Sequence, residues 1–303
     1  MTLNADPSTP DVYVAIPTCN RAQLLKEVLN DLMDQEVKPK LVVVVDSSDQ
    51  FILLNQNLFP FQVMHLKSDK KSAAFQRNIS IDIIQSKSHE NAILIFLDDD
   101  VKIQGNYIKE ILKCFQDNPD VVGVSGITEE EPNRSMKRSF LTDWIGASGT
   151  PGKITRSAIN IPVRGEGSVV SFPQWLIGCS SWRIDSMRDI RFEDDFTGNS
   201  IFEDVIFSFR MSKLGRLMVL TSLKFNHHLS EINRKSEAEQ FKNWVINRRR
   251  ILKYDQDNQF NRTRMLVHDC MMLLYYLSKA FLGHSIFFPR ALGILRGLKA
   301  SLR

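Results

Sequence analysis

AILIFLDDD, at residues 92–100, is the stretch that decides the fold of this chain. Six consecutive apolar residues are typical of a strand that is buried on both faces of a parallel sheet. Three carboxylates follow directly, and they would repel one another strongly unless a cation lay among them. The stretch therefore predicts a buried strand that ends at a cation site. A solvated turn or a helix cap is the alternative interpretation of the three aspartates.

The segments around this strand alternate between strand-like and helix-like patterns. Four further apolar runs predict strands at 12–16, 41–45, 61–66 and 121–124. Apolar residues at helical spacing predict helices over 21–35, 72–85 and 106–115, the first of them capped by Asn20. This alternation predicts an α/β fold, in which helices flank a mostly parallel, Rossmann-like sheet with right-handed crossovers.

The alternation stops after the fifth strand. Residues 127–172 are long and rich in glycine, which is typical of a functional or partly disordered loop. A helix over 202–214 and a strand at 217–220 follow, and the pattern after them is mostly helical. We therefore expect one large α/β domain over residues 1–235 and a basic, mostly helical extension over 236–303.

The charge of the chain is unevenly distributed. Residues 242–303 hold 12 Lys and Arg against 3 Asp and Glu, a local charge of +9, and the preceding residues carry −5, which gives the net +4. A basic extension indicates an anionic surface as a partner, and a solvated helical face is the alternative. Nucleic acid is not expected, because no platform of interleaved aromatic residues accompanies the basic ones.

The four cysteines are scattered and form no Cys-x-x-Cys pair. This pattern argues against a disulfide framework or a thiolate zinc site and favours a reducing compartment. The first eleven residues are polar and lack the apolar core of a signal peptide. We therefore expect the protein in the cytoplasm.

Polar residues follow three of the predicted strands at 18–21, 46–49 and 98–100. Ligands of open parallel sheets bind outside the carboxyl ends of the strands, so these segments are the expected site. Mg²⁺ or Mn²⁺ suits the triple aspartate, because such an ion takes one or two carboxylates and completes its shell with substrate phosphates.

Several motifs, in this order, resemble those of the inverting family-two glycosyltransferases, which have the GT-A fold. They are AIPTCNR at 15–21, VVVDSS at 43–48, SAAFQRN at 72–78, DDD at 98–100, WLIGCSSWR at 175–183, and FEDV at 202–205 followed by KLG at 213–215. The resemblance spans about residues 12–228. Each motif alone is weak, and their order and spacing make the resemblance specific.

The resemblance implies a GT-A-like catalytic domain over 1–235 that binds a nucleotide-diphosphate sugar. It assigns donor binding to Pro17, Thr18, Asn20, Arg21, Asp46, Ser48, Arg77, Asp98 and Asp99. It assigns Mn²⁺ or Mg²⁺ to Asp98 and Asp100, with His227 and His228 as further ligands. It assigns the acceptor to Trp175, Gly178, Cys179 and Ser180, and it makes Asp204 the catalytic base with Glu203 beside it.

The motifs also depart from the family pattern in places that touch the substrates. Only Asp46 and Ser48 remain of the usual Asp-Asp-Gly-Ser after the second strand. The helix that starts near Ser72 lacks a leading glycine, and Cys179 stands where a second glycine is common. These changes leave the kind of sugar open.

The chemistry of these residues is consistent with sugar transfer. A cation among the aspartates would neutralise a diphosphate leaving group, and a half-buried carboxylate such as Asp204 would take the acceptor proton. The alternatives are favourable charge in the first helical turn for Glu203 and Asp204, a structural role for the histidines, and a surface position for Arg77. A sugar-1-phosphate nucleotidyltransferase is a rival, but it would carry a glycine-rich loop after the first strand. A non-catalytic nucleotide-sugar-binding protein and a retaining transferase are further alternatives.

The extension contains an amphipathic stretch at 265–282. Its apolar stripe consists of Leu266, Cys270, Leu273, Leu274, Leu277 and Phe281. Charged Asp269 and Lys279 make it a poor membrane span. A basic helix with one apolar face fits an anionic membrane surface, and packing on the catalytic domain is the alternative. With the resemblance, this suggests a saccharide or lipid-linked saccharide acceptor in surface polysaccharide or glycolipid synthesis.

Overall fold

The computed structural model describes residues 10–129, 149–165, 169–196, 200–227 and 236–301. Its strands are β1 (Val12–Thr18), β2 (Leu41–Asp46), β3 (Gln62–Lys67), β4 (Ile93–Phe96), β5 (Val101–Ile103), β6 (Val121–Thr128), β7 (Val169–Ser171), β8 (Ser180–Arg183) and β9 (Arg216–His227). Its helices are α1 (Ala22–Met33), α2 (Ala73–Lys87), α3 (Tyr107–Asp117), α4 (Ile184–Met187), α5 (Glu203–Met211), α6 (Glu237–Arg248), α7 (Arg262–Phe281) and α8 (Phe288–Ser301). Short 3₁₀ turns lie at Gln56–Leu58, Arg249–Tyr254 and Ser285–Phe287.

The strands form one sheet in the order β3-β2-β1-β4-β8-β6-β9-β5, with β7 paired to β9. The four strands from β3 to β4 are parallel, as are β6 and β9. β8 runs antiparallel between β4 and β6, and β5 and β7 run antiparallel to β9. The predicted α/β class with a mostly parallel sheet is thus confirmed, with a mixed second half that the sequence pattern did not indicate.

Burial explains why the first strands were visible in the sequence. Every residue of β1, β2 and β4 is buried, as expected for strands covered by helices on both faces. One apolar cluster lies on each side of the sheet, and α1 and α3 contribute to one of them while α2 and α5 contribute to the other. This sandwich fixes the carboxyl ends of β1, β2 and β4 at one edge.

Two local predictions were wrong. Asn20 does not cap α1, because Arg21 occupies that position without a side-chain cap bond and Asn20 has a left-handed φ of 55°. The stretch at 127–172 is not one loop, since β6 continues to Thr128, an isolated bridge joins Ile154 to Asn160, and β7 follows. The part of that stretch at 130–148 lies outside the described residues.

The C-terminal helices pack on the α/β body and on each other. Phe260 and Met265 belong to the same apolar cluster as α2 and α5. Helix α8 lies against α6 through two glycines: a Cβ on Gly293 would lie 2.4 Å from the Ala238 carbonyl oxygen, and one on Gly297 would lie 2.7 Å from the Val245 Cβ. Such close approach requires glycine. Packing on the body, one of the two alternatives for the extension, is therefore present.

A buried ion pair anchors the extension. The guanidinium of Arg248 at the end of α6 donates to the Asp269 carboxylate on α7, and both side chains are fully buried. Arg249 donates to the other oxygen of Asp269 at 2.7 Å. Two cations on one buried carboxylate fix the angle between α6 and α7. Arg250 lies outside this cluster and pairs with Glu193 at 2.8 Å. Within the described residues, no helix combines the length and the apolar character that crossing a bilayer requires.

Candidate active site

A cavity of about 1020 Å³ opens at the carboxyl ends of the central strands. Thr18 at the end of β1, Ser47 after β2 and the three aspartates after β4 form one side of it. The other side is formed by the end of β6, the segment at 175–178 and the start of α5. The structure thus brings together the strand-end segments that the sequence placed at one edge.

Each carboxylate of the triple aspartate has an arginine partner. Arg77 Nη2 donates to Asp98 Oδ1 at 2.6 Å. Arg21 Nη1 donates to both Asp99 Oδ1 at 2.9 Å and Asp100 Oδ2 at 3.0 Å. The predicted repulsion among the three carboxylates is therefore offset by guanidinium groups from two distant elements, which the local sequence could not show.

The Asp99 carboxylate lines the cavity and binds the end of β1. Its second oxygen accepts a hydrogen bond from Thr18 Oγ1 at 2.7 Å, and the residue is only 4% exposed. Burial raises the pKa of Asp99 to about 6, although Thr18 and Arg21 oppose the shift. Asp99, which the resemblance assigned to donor binding, thus holds Thr18 and Arg21 in place.

Two carboxylates of this edge suit a metal ion that a bound phosphate would also coordinate. Asp98 and Asp100 both line the cavity and keep 31% and 11% of their side-chain surface exposed. Among the described residues, no group of three His, Cys, Asp or Glu side chains is arranged to hold a metal. Mg²⁺ and Mn²⁺ need only one or two carboxylates when substrate phosphates complete the shell, so the two aspartates suit that kind of site.

The histidines predicted as metal ligands are only partly described. The backbone of His227 pairs with Val101 in the β5–β9 ladder, which places residue 227 beside the strand that follows Asp100. The side chain of His227 and the whole of His228 lie outside the described residues. Their ligand role stays a prediction.

Arg77 connects the aspartates to the start of α5. Its Nη1 donates to Glu203 Oε1, and its guanidinium lies 5.8 Å and 5.6 Å from the rings of Phe96 and Phe192. The residue is 3% exposed, and the surrounding carboxylates keep it charged by raising its pKa. The surface position that was the alternative for Arg77 is therefore wrong. Both of its terminal nitrogens are engaged by carboxylates, so a direct phosphate contact would require one of them to be exchanged.

The two acidic residues at the start of α5 have different surroundings. Glu203 is 5% exposed and bound to Arg77, and burial raises its pKa while Arg77 opposes the shift. Asp204 is half-buried, lines the cavity and accepts a hydrogen bond from the Val205 N–H at 2.8 Å. Burial raises the pKa of Asp204 to about 6. Of the two, Asp204 has the access and the proton affinity that a general base requires.

The backbone before α5 aims this pair at the cavity. Phe202 has a φ of 77°, in the left-handed region that a bulky residue rarely adopts, and its side chain is buried. This turn places Glu203 and Asp204 in the first turn of α5, where the helix N-terminus favours negative charge. The first-turn effect was the alternative explanation of the pair, and it acts together with the cavity position.

Pro17, Thr18 and Arg21, predicted to bind the donor, line the cavity, but Asn20, Asp46 and Ser48 do not. Asn20 forms a clamp between the ends of β1 and β2, because its N–H donates to Ser48 Oγ at 2.6 Å and its amide donates to Asp49 at 2.9 Å. The clamp supports Ser47, which does line the cavity. Asn20, Asp46 and Ser48 therefore lie outside the cavity lining in this structure.

Asp46 is held by its neighbours. Its Oδ1 accepts from the Ser48 N–H at 2.7 Å, and its Oδ2 lies 3.3 Å from His65 Nε2. His65 Nδ1 accepts from the Leu54 N–H, so Nε2 carries the proton that His65 donates to Asp46. Burial would raise the pKa of Asp46, but these hydrogen bonds lower it below the usual value. His65 carries no motif in the sequence, so this partner of Asp46 was not predicted.

The predicted acceptor residues are divided between the cavity wall and the core. Trp175 and Gly178 line the cavity, whereas Cys179 and Ser180 are buried as the chain enters β8. A Cβ on Gly178 would lie 3.3 Å from Arg77 Nη2 and 3.7 Å from Asp98 Oδ2, so glycine keeps this wall open beside the carboxylates. Three further cationic residues of the wall were not predicted from the sequence: Lys71 just before α2, Arg164 in the loop before β7, and Lys224 on β9.

The fold and the site together define a GT-A-like α/β domain with a carboxylate-rich edge at the carboxyl ends of its strands. The family model described as glycosyl transferase family 2 matches residues 13–177, more than half of the sequence, and the chain belongs to that family. The predicted family is therefore confirmed. No curated protein matches the chain.

Solved structures share the fold. Staphylococcus aureus TarS, residues 1–349 in complex with UDP, aligns at a TM-score of 0.51 with 18% identity, over 89% of this chain and 72% of that one. GalNAc-T7 with UDP, GalNAc and Mn²⁺ aligns at 0.52 with 12% identity, over 72% of this chain and 43% of that one. This chain spans 43% of the longer TarS structure. At these identities the structures establish the common fold alone.

Proposed function

We propose that this chain transfers a sugar from a nucleotide-diphosphate sugar to an acceptor hydroxyl with inversion at the anomeric carbon. The observation that carries the proposal is the position of Asp204, a half-buried carboxylate facing the same cavity as the triple aspartate. Family membership supplies the class of reaction. The UDP and UDP-GlcNAc complexes of TarS support the choice of donor.

The donor diphosphate would lie at the edge formed by Thr18, Arg21, Asp98 and Asp100. Asp98 and Asp100 would hold Mn²⁺ or Mg²⁺, which when bound with the diphosphate offsets the charge developing on the leaving group. Arg21 is placed to move from Asp100 to a phosphate oxygen, because a guanidinium binds both kinds of oxyanion in the same geometry. Lys71 adds positive charge to this side of the cavity.

The acceptor would enter along Trp175 and Gly178 on the opposite side. Asp204 takes the proton of the acceptor hydroxyl while the hydroxyl oxygen of the acceptor attacks the anomeric carbon. The new carbon–oxygen bond forms as the bond to the diphosphate oxygen breaks, and the electron pair leaves with the nucleotide diphosphate. One displacement from the face opposite the leaving group inverts the configuration, and in this scheme Glu203 and Arg77 position Asp204 without touching the sugar.

The acceptor that we propose is a saccharide, in particular a lipid-linked one used in surface polysaccharide or glycolipid synthesis. Support comes from the cationic wall of the cavity and from the basic extension. Such an acceptor would place the protein at the cytoplasmic face of a membrane as a peripheral protein.

The test uses nucleotide sugars with and without Mn²⁺. A donor should raise the melting temperature of the wild-type protein, because it binds only the folded state, and Mn²⁺ should increase the effect. Asp204→Asn should keep this shift and lose at least a hundredfold in transfer, the usual contribution of a general base. Asp69→Asn, at an exposed carboxylate away from the cavity, is the matched control. A normal transfer rate in Asp204→Asn would exclude the base assignment, and release of pyrophosphate from a nucleoside triphosphate would indicate a nucleotidyltransferase instead.

A further inference from the structure

The large apolar side chains left exposed in this fold are concentrated in the C-terminal helices. Four of them meet where α7 turns into α8: Phe281, Leu282, Ile286 and Phe288, with 86%, 72%, 62% and 56% of their surface exposed. We call these four residues the apolar tip. They lie within eight consecutive residues, at the turn that joins the two helices.

The apolar surface continues from the tip along both helices. Leu266, Cys270 and Leu274 are exposed on α7 at a spacing of four residues, and Phe281 falls on the same face. On α8, Leu295 lies two turns after Phe288 on the same side and is also exposed. Exposed apolar patches of this kind mark interaction sites, whereas single exposed side chains do not.

The opposite faces of these helices are already occupied. Helix α8 buries Ala291, Ile294 and Leu298 in the cluster that includes Val245 of α6. At the base of the tip, Phe287 stacks on Tyr276 with ring centroids 5.7 Å apart. The packing of α8 on α6 and of Phe287 on Tyr276 therefore supports the tip, and among the described residues no protein covers its outer side chains.

The charged residues around the apolar tip indicate which kind of partner it binds. Residues 270–303 contain five Lys and Arg and no Asp or Glu. Arg290 pairs with Glu237 on α6 at 2.8 Å, whereas Arg296 and Lys299 are exposed on α8, and Lys279 lies two residues before Phe281. A second copy of this chain would bring two basic segments together, which electrostatic repulsion opposes. An anionic bilayer surface matches both the charge and the apolar side chains.

We propose that the apolar tip inserts into the interface of an anionic membrane and docks the enzyme on it. Phe281, Leu282, Ile286 and Phe288 enter the acyl boundary, and Lys279, Arg296 and Lys299 lie at the level of the anionic headgroups. The purpose of this docking rests on the proposed function, because a lipid-linked acceptor lies in a membrane. The residues of the apolar tip do not line the catalytic cavity. The predicted stripe at 265–282 thus contributes one edge of a membrane face whose centre is the turn after it.

Vesicle sedimentation tests the docking without any sugar donor. The probes are vesicles of phosphatidylcholine alone and vesicles with about one third phosphatidylglycerol. The variant Phe281→Ser/Leu282→Ser/Ile286→Ser removes the tip, and Ile52→Ser/Leu53→Ser/Leu58→Ser removes three equally exposed apolar side chains elsewhere. Wild type and the second variant should bind the anionic vesicles alike, and the tip variant should bind at least tenfold more weakly. Lys279→Gln/Arg296→Gln/Lys299→Gln should abolish the preference for anionic vesicles.

Three outcomes would overturn the docking. They are equal vesicle binding by wild type and the tip variant, no vesicle binding by wild type, and an oligomer of wild type that the tip variant dissociates in sedimentation velocity without vesicles. The last result would assign the tip to contact between copies. Circular dichroism and thermal melting confirm that the variants fold. Because the assay contains no donor, a failure of the proposed transfer would leave its result unchanged.

Discussion

Replacing the proposed base should make the protein more stable while stopping its chemistry. In Asp204→Asn the amide keeps the shape of the carboxyl group, and its oxygen can still accept from the Val205 N–H. The pKa of Asp204 is about 6 in the folded protein, against about 3.9 in an unfolded chain. Between these values the folded state binds more protons than the unfolded state, so stability falls as the pH rises.

The size of the effect follows from this difference. Keeping Asp204 ionised in the folded state at pH 7.5 costs about 3 kcal/mol, at about 1.36 kcal/mol for each pKa unit. Asparagine avoids this cost, but it loses about 1 kcal/mol where its amide does not reproduce a hydrogen bond of the carboxyl group. We expect Asp204→Asn to raise the free energy of unfolding by about 2 kcal/mol at pH 7.5. At pH 4, where the folded-state carboxyl is already protonated, the gain should be about 0.5 kcal/mol or less.

Urea denaturation at both pH values measures the effect. Asp69→Asn is the control, because the same chemical change at this exposed side chain should alter stability little at either pH. The reasoning would be refuted by an Asp204→Asn protein that is no more stable than wild type at pH 7.5, or by a gain that is the same at pH 4. Either result would mean that the carboxylate at the start of α5 is not held at a raised pKa.

Other substitutions test the remaining parts of the site and the extension. Asp100→Ala should abolish metal-dependent transfer, and Mn²⁺ should no longer increase the thermal shift that a donor produces; full Mn²⁺-dependent activity would contradict the metal role. Arg77→Met should lower the free energy of unfolding by about 3 kcal/mol or more in urea titrations, because it leaves Glu203 buried without a cation; a neutral effect would show that Glu203 is protonated in the folded state. Asp269→Asn should cost about 3–5 kcal/mol by leaving Arg248 buried and uncompensated, whereas Asp257→Asn on the surface of the same extension should cost under about 1 kcal/mol. The transfer rate of the wild type should rise with pH through about 6 and then level off, as deprotonation of Asp204 requires; a rate independent of pH between 5 and 7 would contradict the assignment.

The elements that could be predicted are those whose information is local. Six apolar residues before Asp98 are enough to indicate a fully buried strand, and the same holds for β1 and β2. β8 was not visible, because Ser180 to Arg183 is a short and partly polar stretch. It is buried only since it inserts between β4 and β6, a tertiary effect that no local pattern reports.

The site residues divide in the same way, into those that a local motif indicates and those that only the tertiary structure brings together. Motif positions identified the two carboxylate groups that share the cavity, the triple aspartate and the pair at the start of α5. They did not identify which carboxylate faces which cation, because Arg21, Arg77 and Asp98 are brought together by three different elements. Two residues that support the site were not predicted either, because His65 carries no motif and Gln76 lies in the motif at 72–78 without an assigned role. Gln76 donates to the carbonyl oxygens of Thr18 at 2.8 Å and Val45 at 2.5 Å, which fixes α2 against β1 and β2.

The arginine partners change how the triple aspartate should be understood. The sequence predicts a cation among the three adjacent carboxylates, because they repel one another. In the fold, Arg21 and Arg77 supply positive charge to the three carboxylates and hold them in defined positions. A metal that bound Asp100 as we propose would therefore replace one guanidinium contact. Since a phosphate is a good alternative partner for that guanidinium, the arrangement favours a metal that arrives together with a diphosphate over a metal bound alone.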